Sequence, residues 1–224
     1  MFESKYSKVL TVVLVIVIIA IVALLGFLSY DFIKKYNTSK QASDFVEEYQ
    51  GNLTTSDQGN DTVQENVTLD DANEAPITST STSGNSGKKK YEGFTVVGTM
   101  KIPAINLEYP IVQEVSTKAL EKALIALYPS GDNLNLPGNT VVIGHNYRNG
   151  MFFSNLKKLT NGAKIYVTDF RGKSLTYEVY NKFEASSTDT SFYTRDTNGL
   201  AELTLSTCTD ASNDQRTIIF AKQI

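Results

Sequence analysis

The chain has 224 residues, of which 21 are Lys or Arg, 24 are Asp or Glu, one is His and one is Cys. This length suits one domain of ordinary size with appendages, or two small domains. A single Cys cannot form an internal disulfide, and one Cys with one His cannot supply the ligands of a usual structural zinc site. The composition therefore excludes a disulfide scaffold and a zinc-binding module, and we expect neither a metal nor a cofactor.

An apolar run near the amino terminus predicts a membrane-spanning helix. It extends from Val9 to Leu28, which is 20 residues without a charge. A helix of this length rises by about 30 Å and so crosses the hydrocarbon core of a bilayer. A cleaved signal peptide is the alternative, although its apolar stretch is usually shorter. Lys5 and Lys8 before the run are matched by Lys34 and Lys35 after it, so the charges leave the orientation open.

The segment 29–90 is predicted to be a short juxtamembrane helix followed by a disordered linker. Apolar residues recur at loose helical intervals from Ser29 to Tyr49, which favours a helix there. Residues 41–87 contain nine Asp or Glu and no Lys or Arg, and 78–87 is almost entirely Ser, Thr, Gly and Asn. Such a composition buries too little apolar surface to offset the entropy of ordering. We therefore expect a flexible tether.

Residues 91–224 are predicted to form one compact, mainly β domain. It carries 13 Lys or Arg against 13 Asp or Glu, a neutral balance that argues against a nucleic-acid partner. Two stretches, Thr117–Leu127 and Phe153–Leu159, have the spacing of short helices. Seven to eight short strands in about 130 residues are typical of a barrel or sandwich. The runs rich in Val, Ile, Tyr, Thr and Phe that predict strands are 94–102, 107–112, 140–144, 164–169, 174–183, 203–208 and 216–222.

Cys208 is the candidate nucleophile, although a lone cysteine is more often a buried structural residue. In the strand Leu203–Cys208 the side chains alternate, so Cys208 shares a face with Ser206, opposite Leu205. A polar loop follows, and Arg216 opens the next strand. Cys208 and Arg216 should therefore face each other across a hairpin, where a guanidinium can stabilise a thiolate or an oxyanion.

His145 is the candidate acid or base. It ends the strand Thr140–Gly144 and precedes a turn-like segment, and the ends of strands are common places for functional residues. Imidazole is the usual proton carrier near neutral pH. An ordinary loop histidine is the alternative, and one Cys with one His is only the minimum for thiol catalysis.

The motifs of this domain together resemble the sortase family. They are Thr204–Cys208 at a strand end, Arg216 eight residues later, Gly144-His145 upstream, the opening strand Gly98–Pro103, and Phe220-Ala221-Lys222 near the end. The resemblance implies a closed or nearly closed barrel of seven to eight strands with a few short helices, preceded by one transmembrane helix and a flexible linker. It also implies that residues 1–8 are cytoplasmic and the domain is extracellular.

By this resemblance the chain is expected to be a cysteine transpeptidase of the cell membrane. Cys208 would cleave a sorting signal similar to Leu-Pro-x-Thr-Gly and hold the product as a thioester, which an amine from a cell-wall precursor or a pilin would release. His145 would be the general acid and base, and Arg216 would position the substrate and stabilise its oxyanion. Thr207, Ser206 and Asn146 are the further candidates for contact with the substrate.

Two other functions remain open at this stage, as does the subclass. One is a thiol hydrolase with water as acceptor, and the other is a surface adhesin or wall-binding module in which Cys208 is structural. His145-Asn146 with Gly150–Phe152 is similar to class B, but only about twenty residues separate Phe183 from Leu203, where class B usually has a longer insertion. No lid motif and no second apolar span are recognised, which favours anchoring of surface proteins over pilus assembly.

Overall fold

A computed structural model describes residues 3–56 and 88–224, which form one long helix and a β-barrel. Helix α1 covers Glu3–Ser56 and α2 covers Thr117–Leu120, and two 3-10 helices cover Pro103–Ile105 and Phe153–Lys158. The strands are β1 (Lys90–Tyr91), β2 (Phe94–Ile102), β3 (Leu107–Val112), β4 (Leu124–Tyr128), β5 (Gly138–Ile143), β6 (Lys164–Asp169), β7 (Ser174–Ser186), β8 (Ala201–Cys208) and β9 (Gln215–Gln223).

Eight of the strands close into a barrel, as the resemblance to the sortase family implies. Their order is β2, β3, β4, β5, β8, β9, β7 and β6, and β6 pairs back to β2, while β1 extends the edge beside β2. Most neighbours are antiparallel, but β3 with β4 and β5 with β8 are parallel. The barrel interior is filled by apolar side chains such as Met100, Val142 and Leu205, all fully buried.

The prediction of a helix over Thr117–Leu127 is wrong for its second half. Only Thr117–Leu120 is helical, with the Ser116 hydroxyl accepting a hydrogen bond from the amide of Ala119 as its cap. Residues 124–128 form β4, a barrel strand that lies between β3 and β5. A short apolar run that is buried on both sides has no clear period, so the sequence does not distinguish a helix from a strand there.

Helix α1 includes the predicted juxtamembrane helix, continues seven residues beyond it to Ser56, and packs on the barrel. Ala42, Val46 and Tyr49 are buried and lie on one helical face. The Phe45 ring lies 4.9 Å from that of Tyr91 at the barrel edge. Acidic residues such as Glu47 occupy the exposed face, so the acidity of this stretch does not prevent it from folding. The rest of the predicted linker, residues 57–87, lies outside the described residues.

The apolar run lies within α1 and remains exposed. The large side chains from Val9 to Leu28 are about half to three quarters exposed, unlike those of a core helix. Among the described residues one helix is long and apolar enough to cross a membrane. This agrees with an anchor in length and composition.

Candidate active site

Parallel pairing of β5 and β8 brings the two candidate catalytic residues to the same rim of the barrel. Ile143 pairs with Ser206, and continuing this register by two residues brings His145 level with Cys208. The hydroxyl of Thr207 donates a 2.7 Å hydrogen bond to the carbonyl of Gly144, and the Gly144 amide donates to the Ser206 carbonyl at 3.3 Å. These bonds extend the contact between the strands past the end of β5.

Gly144 is required because the chain passes very close to the barrel core just before His145. A Cβ at this position would lie 2.7 Å from Leu124 Cδ2 and 2.8 Å from Phe153 Cδ2, both closer than real contacts allow. The Phe153 amide in turn donates to the His145 carbonyl at 3.0 Å. A larger residue would have to displace buried side chains or the backbone that positions the imidazole.

Arg216 lies opposite Cys208, as the hairpin pattern predicts. The two residues are partners in the antiparallel pairing of β8 with β9. Nη1 of Arg216 donates to the carbonyls of Asn213 and Gln215, at 2.5 and 3.2 Å. Among the described residues, Nε and Nη2 have no hydrogen-bond partner. The guanidinium is thus held by its own loop while retaining donors for an anionic group.

All three candidates open onto one groove of about 370 Å³. Cys208 is a free thiol and is partly exposed at the groove. The groove has apolar walls and a few polar groups, which is the usual character of a ligand site. Its lining consists of Leu120, Leu127, Ile143, Gly144, His145, Ser187, Asp189, Phe192, Tyr193, Ser206, Thr207, Cys208, Arg216 and Ile218.

The imidazole of His145 is partly buried, and burial lowers its pKa below the ordinary value of 6.5. The negative charge of Glu121 acts in the opposite direction but more weakly. The ring lies 4.6 Å from that of Tyr147, which shields one side from water. His145 is therefore mainly neutral at neutral pH, so that it is ready to accept a proton and becomes a stronger acid once it is protonated.

The three predicted substrate contacts occupy different positions. Ser206 is on the same face as Cys208 and lines the groove, although it is only 7% exposed. Thr207 is buried, and its hydroxyl donates a hydrogen bond to the carbonyl of Gly144, so it is not free to bind a peptide. Asn146 is not among the residues that line the groove. Its side-chain amide donates to the carbonyl of Cys208 at 2.8 Å and to Asp210 at 2.9 Å, which ties the loops after β5 and β8 together.

One wall of the groove comes from the loop between β7 and β8, which the sequence analysis missed. Phe192 and Tyr193 lie on this wall. The side-chain amide of Asn139 donates to the Tyr193 carbonyl at 2.9 Å and so fastens the loop to β5. Two adjacent aromatic residues within an otherwise polar stretch were the signal available in the sequence.

A polar network around Arg195 holds the same loop against β8 and β9. Nη2 of Arg195 pairs with Glu202 at 2.7 Å, and Nη1 donates to the Thr204 hydroxyl at 2.6 Å. Tyr180 adds a 2.8 Å hydrogen bond to the same Glu202 oxygen. The Arg195 guanidinium also stacks 4.0 Å above the Phe220 ring. Both partners of the ion pair are largely buried, so that removing one leaves a desolvated charge.

The site offers a thiol, an imidazole and a guanidinium around one cavity, which suits nucleophilic attack on a carbonyl followed by proton transfer. Among residues 3–56 and 88–224 no three His, Cys, Asp or Glu side chains lie close enough together to hold a metal ion.

Comparison with known proteins gives a consistent result. The family model described as Sortase domain matches residues 100–224. Sortase A of Bacillus anthracis is 27% identical over 133 residues, which is 56% of this chain and 58% of that protein. Sortase A of Streptococcus agalactiae serotype III is 27% identical over 141 residues, covering 61% and 56%. The structure of Sortase A from Corynebacterium diphtheriae is 29% identical with a TM-score of 0.53, over 58% of this chain and 61% of that one.

The fold and the site define a class of closed β-barrels that carry a cysteine, a histidine and an arginine at one rim. The matched domain covers more than half of the chain, and the chain belongs to the sortase family. It spans less than three fifths of the length of the two curated relatives it matches.

Proposed function

We propose that the protein is a membrane-anchored cysteine transpeptidase that acts on the sorting signals of secreted proteins. The observation that carries the proposal is the single groove onto which Cys208, His145 and Arg216 all open. Membership of the sortase family supports the same chemistry. The partly exposed thiol in a cavity argues against an adhesin in which Cys208 is only structural.

The reaction has two steps. In the first, the thiol of Cys208 gives its proton to His145, and Sγ attacks the carbonyl carbon of the Thr in a signal similar to Leu-Pro-x-Thr-Gly. The C–N bond breaks, the leaving amine takes a proton from His145, and a thioester remains. In the second, an amine of a cell-wall precursor or of a pilin attacks the thioester and gives a proton to His145. The C–S bond breaks, and His145 passes that proton to the departing sulfur, so that the thiol is regenerated.

Arg216 would donate hydrogen bonds to the oxyanion from Nε and Nη2. Thr207 and Asn146 are proposed to have positioning roles, which is supported by the hydrogen bonds of their polar groups to Gly144 and Cys208. Ser206 and the Phe192–Tyr193 wall are the groups proposed to contact the peptide. The apolar part of α1 would anchor the protein with residues 1–8 in the cytoplasm and the barrel outside.

The test uses the full chain with a sorting-signal peptide and an amine acceptor, followed by mass spectrometry. The wild-type protein should form an acyl adduct and the amide product, whereas Cys208→Ala should form neither. Lys222→Ala, at an exposed position on β9 away from the groove, is the control and should keep its activity. Product formation by the Cys208→Ala variant would refute the assignment of the nucleophile.

The same assay separates transfer from hydrolysis. For a transpeptidase, added amine should convert the product from the free acid to the amide. If the free acid is formed at the same rate and in the same amount with and without amine, the protein is a thiol hydrolase.

A further inference from the structure

Helix α1 contacts the barrel in an order that fixes which end of the barrel is nearer the apolar run. Phe32 and Lys35 lie beside the loop 147–151, next to His145. Further along α1, the Gln50 amide donates to the hydroxyl of Thr99 on β2. Leu53 reaches the turn at Gly172, between β6 and β7. The rim that carries the candidate active site is therefore the near end, and the Gly172 turn is the far end.

The near end lies within reach of lipid headgroups if the apolar run spans a bilayer. Seven residues separate Leu28 from Lys35, which is about 10 Å along a continuous helix. The headgroup layer is about 5 to 8 Å thick on each side of the hydrocarbon core. Tyr30 and Tyr36 are 65% and 58% exposed, and tyrosine is enriched at the membrane interface.

The near end is also basic. A cavity of about 380 Å³ lies between α1 and the loop after β5, and it is lined by Lys35, Arg148, Lys157 and Lys158 together with neutral residues. No acidic residue of the described chain lines it, although Asp210 pairs with Lys157 at its edge. The domain as a whole is neutral, so this concentration of positive charge is local.

We propose that this basic face, formed by Lys35, Arg148, Lys157 and Lys158, docks on anionic lipid headgroups of the membrane in which α1 is anchored. The partner is the phosphate-rich surface of an anionic bilayer, which attracts lysine and arginine side chains within a Debye length. In the docked state the active-site rim of the barrel faces the membrane, and the groove opens close to the membrane surface. The proposal requires that the apolar part of α1 is retained, but it does not depend on the reaction that the groove performs.

The first experiment measures the height of two points on the barrel above the membrane. The full chain with Cys208→Ala is placed in lipid nanodiscs, and a fluorophore is attached through either Asn155→Cys or Ser174→Cys. Asn155 lines the basic cavity, and Ser174 follows the far turn. The helix between Lys35 and Leu53 rises by about 27 Å. Lipids with a quencher on the headgroup should quench the label at position 155 strongly and the label at position 174 hardly at all.

The second experiment tests the charge. Quenching at position 155 should be strong with phosphatidylglycerol and fall with a purely zwitterionic lipid or at about 1 M salt, where the Debye length is only about 3 Å. Lys35→Gln with Lys158→Gln should reduce the ratio of docked to undocked protein by about 25-fold, since each basic group near an anionic surface contributes about fivefold. The matched control is Lys90→Gln with Lys222→Gln, two exposed lysines on β1 and β9 that should change nothing.

Each outcome decides the proposal. Strong, charge-dependent quenching at position 155 alone supports it. Equal quenching at both positions, or quenching that is independent of lipid charge and of the two lysines, overturns it. Binding of a soluble anionic wall polymer through these lysines, without charge-dependent quenching by lipid, would assign the face to that polymer instead. Failure of the chain to insert into the nanodisc would remove the premise of an anchor and overturn the proposal as well.

Discussion

At the scale of single residues, the groove depends on how each polar group is held. Arg216 is fixed by two carbonyls of its own loop and sits opposite Cys208. His145 is fixed through its backbone, by the amide of Phe153 and by the close packing of Gly144. The proposed chemistry would therefore depend on a planar donor and on a proton carrier whose pKa is lowered by burial.

Replacing Arg216 with Lys tests whether the planar guanidinium is needed. Lys keeps the charge but cannot hold the two loop carbonyls and still direct two donors at an oxyanion. We expect kcat/KM for a sorting-signal peptide to fall by about 100-fold, at the lower end of the range seen when an oxyanion donor is lost. Lys164→Arg, an equally charge-conserving change in an exposed ion pair, should have little effect. A fully active Arg216→Lys variant would argue against the oxyanion role.

Replacing Glu121 with Gln tests the electrostatics of His145. Burial lowers the pKa of His145 and Glu121 partly restores it, so removing the carboxylate should lower that pKa further. The pH below which the imidazole is protonated should therefore move down, and any rate that requires the protonated form should move with it. Because His145 is the only histidine, its ring protons can be followed by NMR titration without overlap.

The control for this titration is Glu47→Gln, which lies on the exposed face of α1 and should leave the titration unchanged. An unchanged midpoint in the Glu121→Gln variant would show that the carboxylate does not act on the imidazole. The difference should shrink at high salt, because Glu121 is exposed and its field is screened.

At the scale of elements, the loop between β7 and β8 is an ordered wall rather than a free connection. Asn139 and Arg195 fasten it at two points, to β5 and to β8. Its aromatic residues Phe192 and Tyr193 can then form a fixed side of the groove. The loop should influence how tightly a peptide binds more than how fast the bound peptide reacts.

Arg195→Met should therefore raise KM for the peptide with little change in kcat. It also leaves Glu202 as an unpaired and largely buried charge, so the free energy of unfolding should fall by about 3 kcal/mol. Urea unfolding and peptide kinetics measure the two effects. Adding Glu202→Met to the same chain should regain part of the stability, because both charges are then replaced by apolar groups.

A double variant no more stable than Arg195→Met alone would contradict this account of the ion pair. If KM stays unchanged in the single variant, the loop does not depend on Arg195 for its position.

At the scale of the whole molecule, α1 and the barrel form one unit rather than two bodies on a long tether. Ala42, Val46 and Tyr49 of α1 are buried against the barrel edge. Side-chain contacts from Ser39 to Leu53 run along the barrel, among them the hydrogen bond from Gln41 to Glu92. The barrel is thereby held at a defined height and rotation relative to the apolar run.

Val46→Ala should destabilise this unit. Two buried methyl groups are removed and a small cavity remains, which corresponds to a loss of about 2 kcal/mol in the free energy of unfolding. Chemical unfolding of the full chain in detergent, followed by tyrosine fluorescence and circular dichroism, measures it. Glu47→Ala, one residue away on the exposed face, should have almost no effect. Equal stability of the two variants would mean that α1 does not pack on the barrel in solution.

Much of the local structure could be predicted from the sequence, because it depends on the pattern of residues over a few neighbouring positions. Alternation along 164–169 and 203–208 predicted β6 and most of β8, and the polar loop before Arg216 predicted its hairpin. The same patterns singled out Cys208 and His145 as chemically unusual positions. They failed for β4 and for residues 50–56, the last turns of α1, where burial by distant parts of the chain overrides local composition.

By itself the sequence determined the reactive groups, the apolar run, the strand character of the domain and its likeness to the sortase family. Only the tertiary structure decided that β5 and β8 are parallel neighbours, which brings His145 beside Cys208. It also decided that Phe192 and Tyr193 form a wall of the groove and that α1 lies along the barrel. The physical reason is that alternation and helical spacing are local, whereas the pairing of distant strands depends on how the whole core closes.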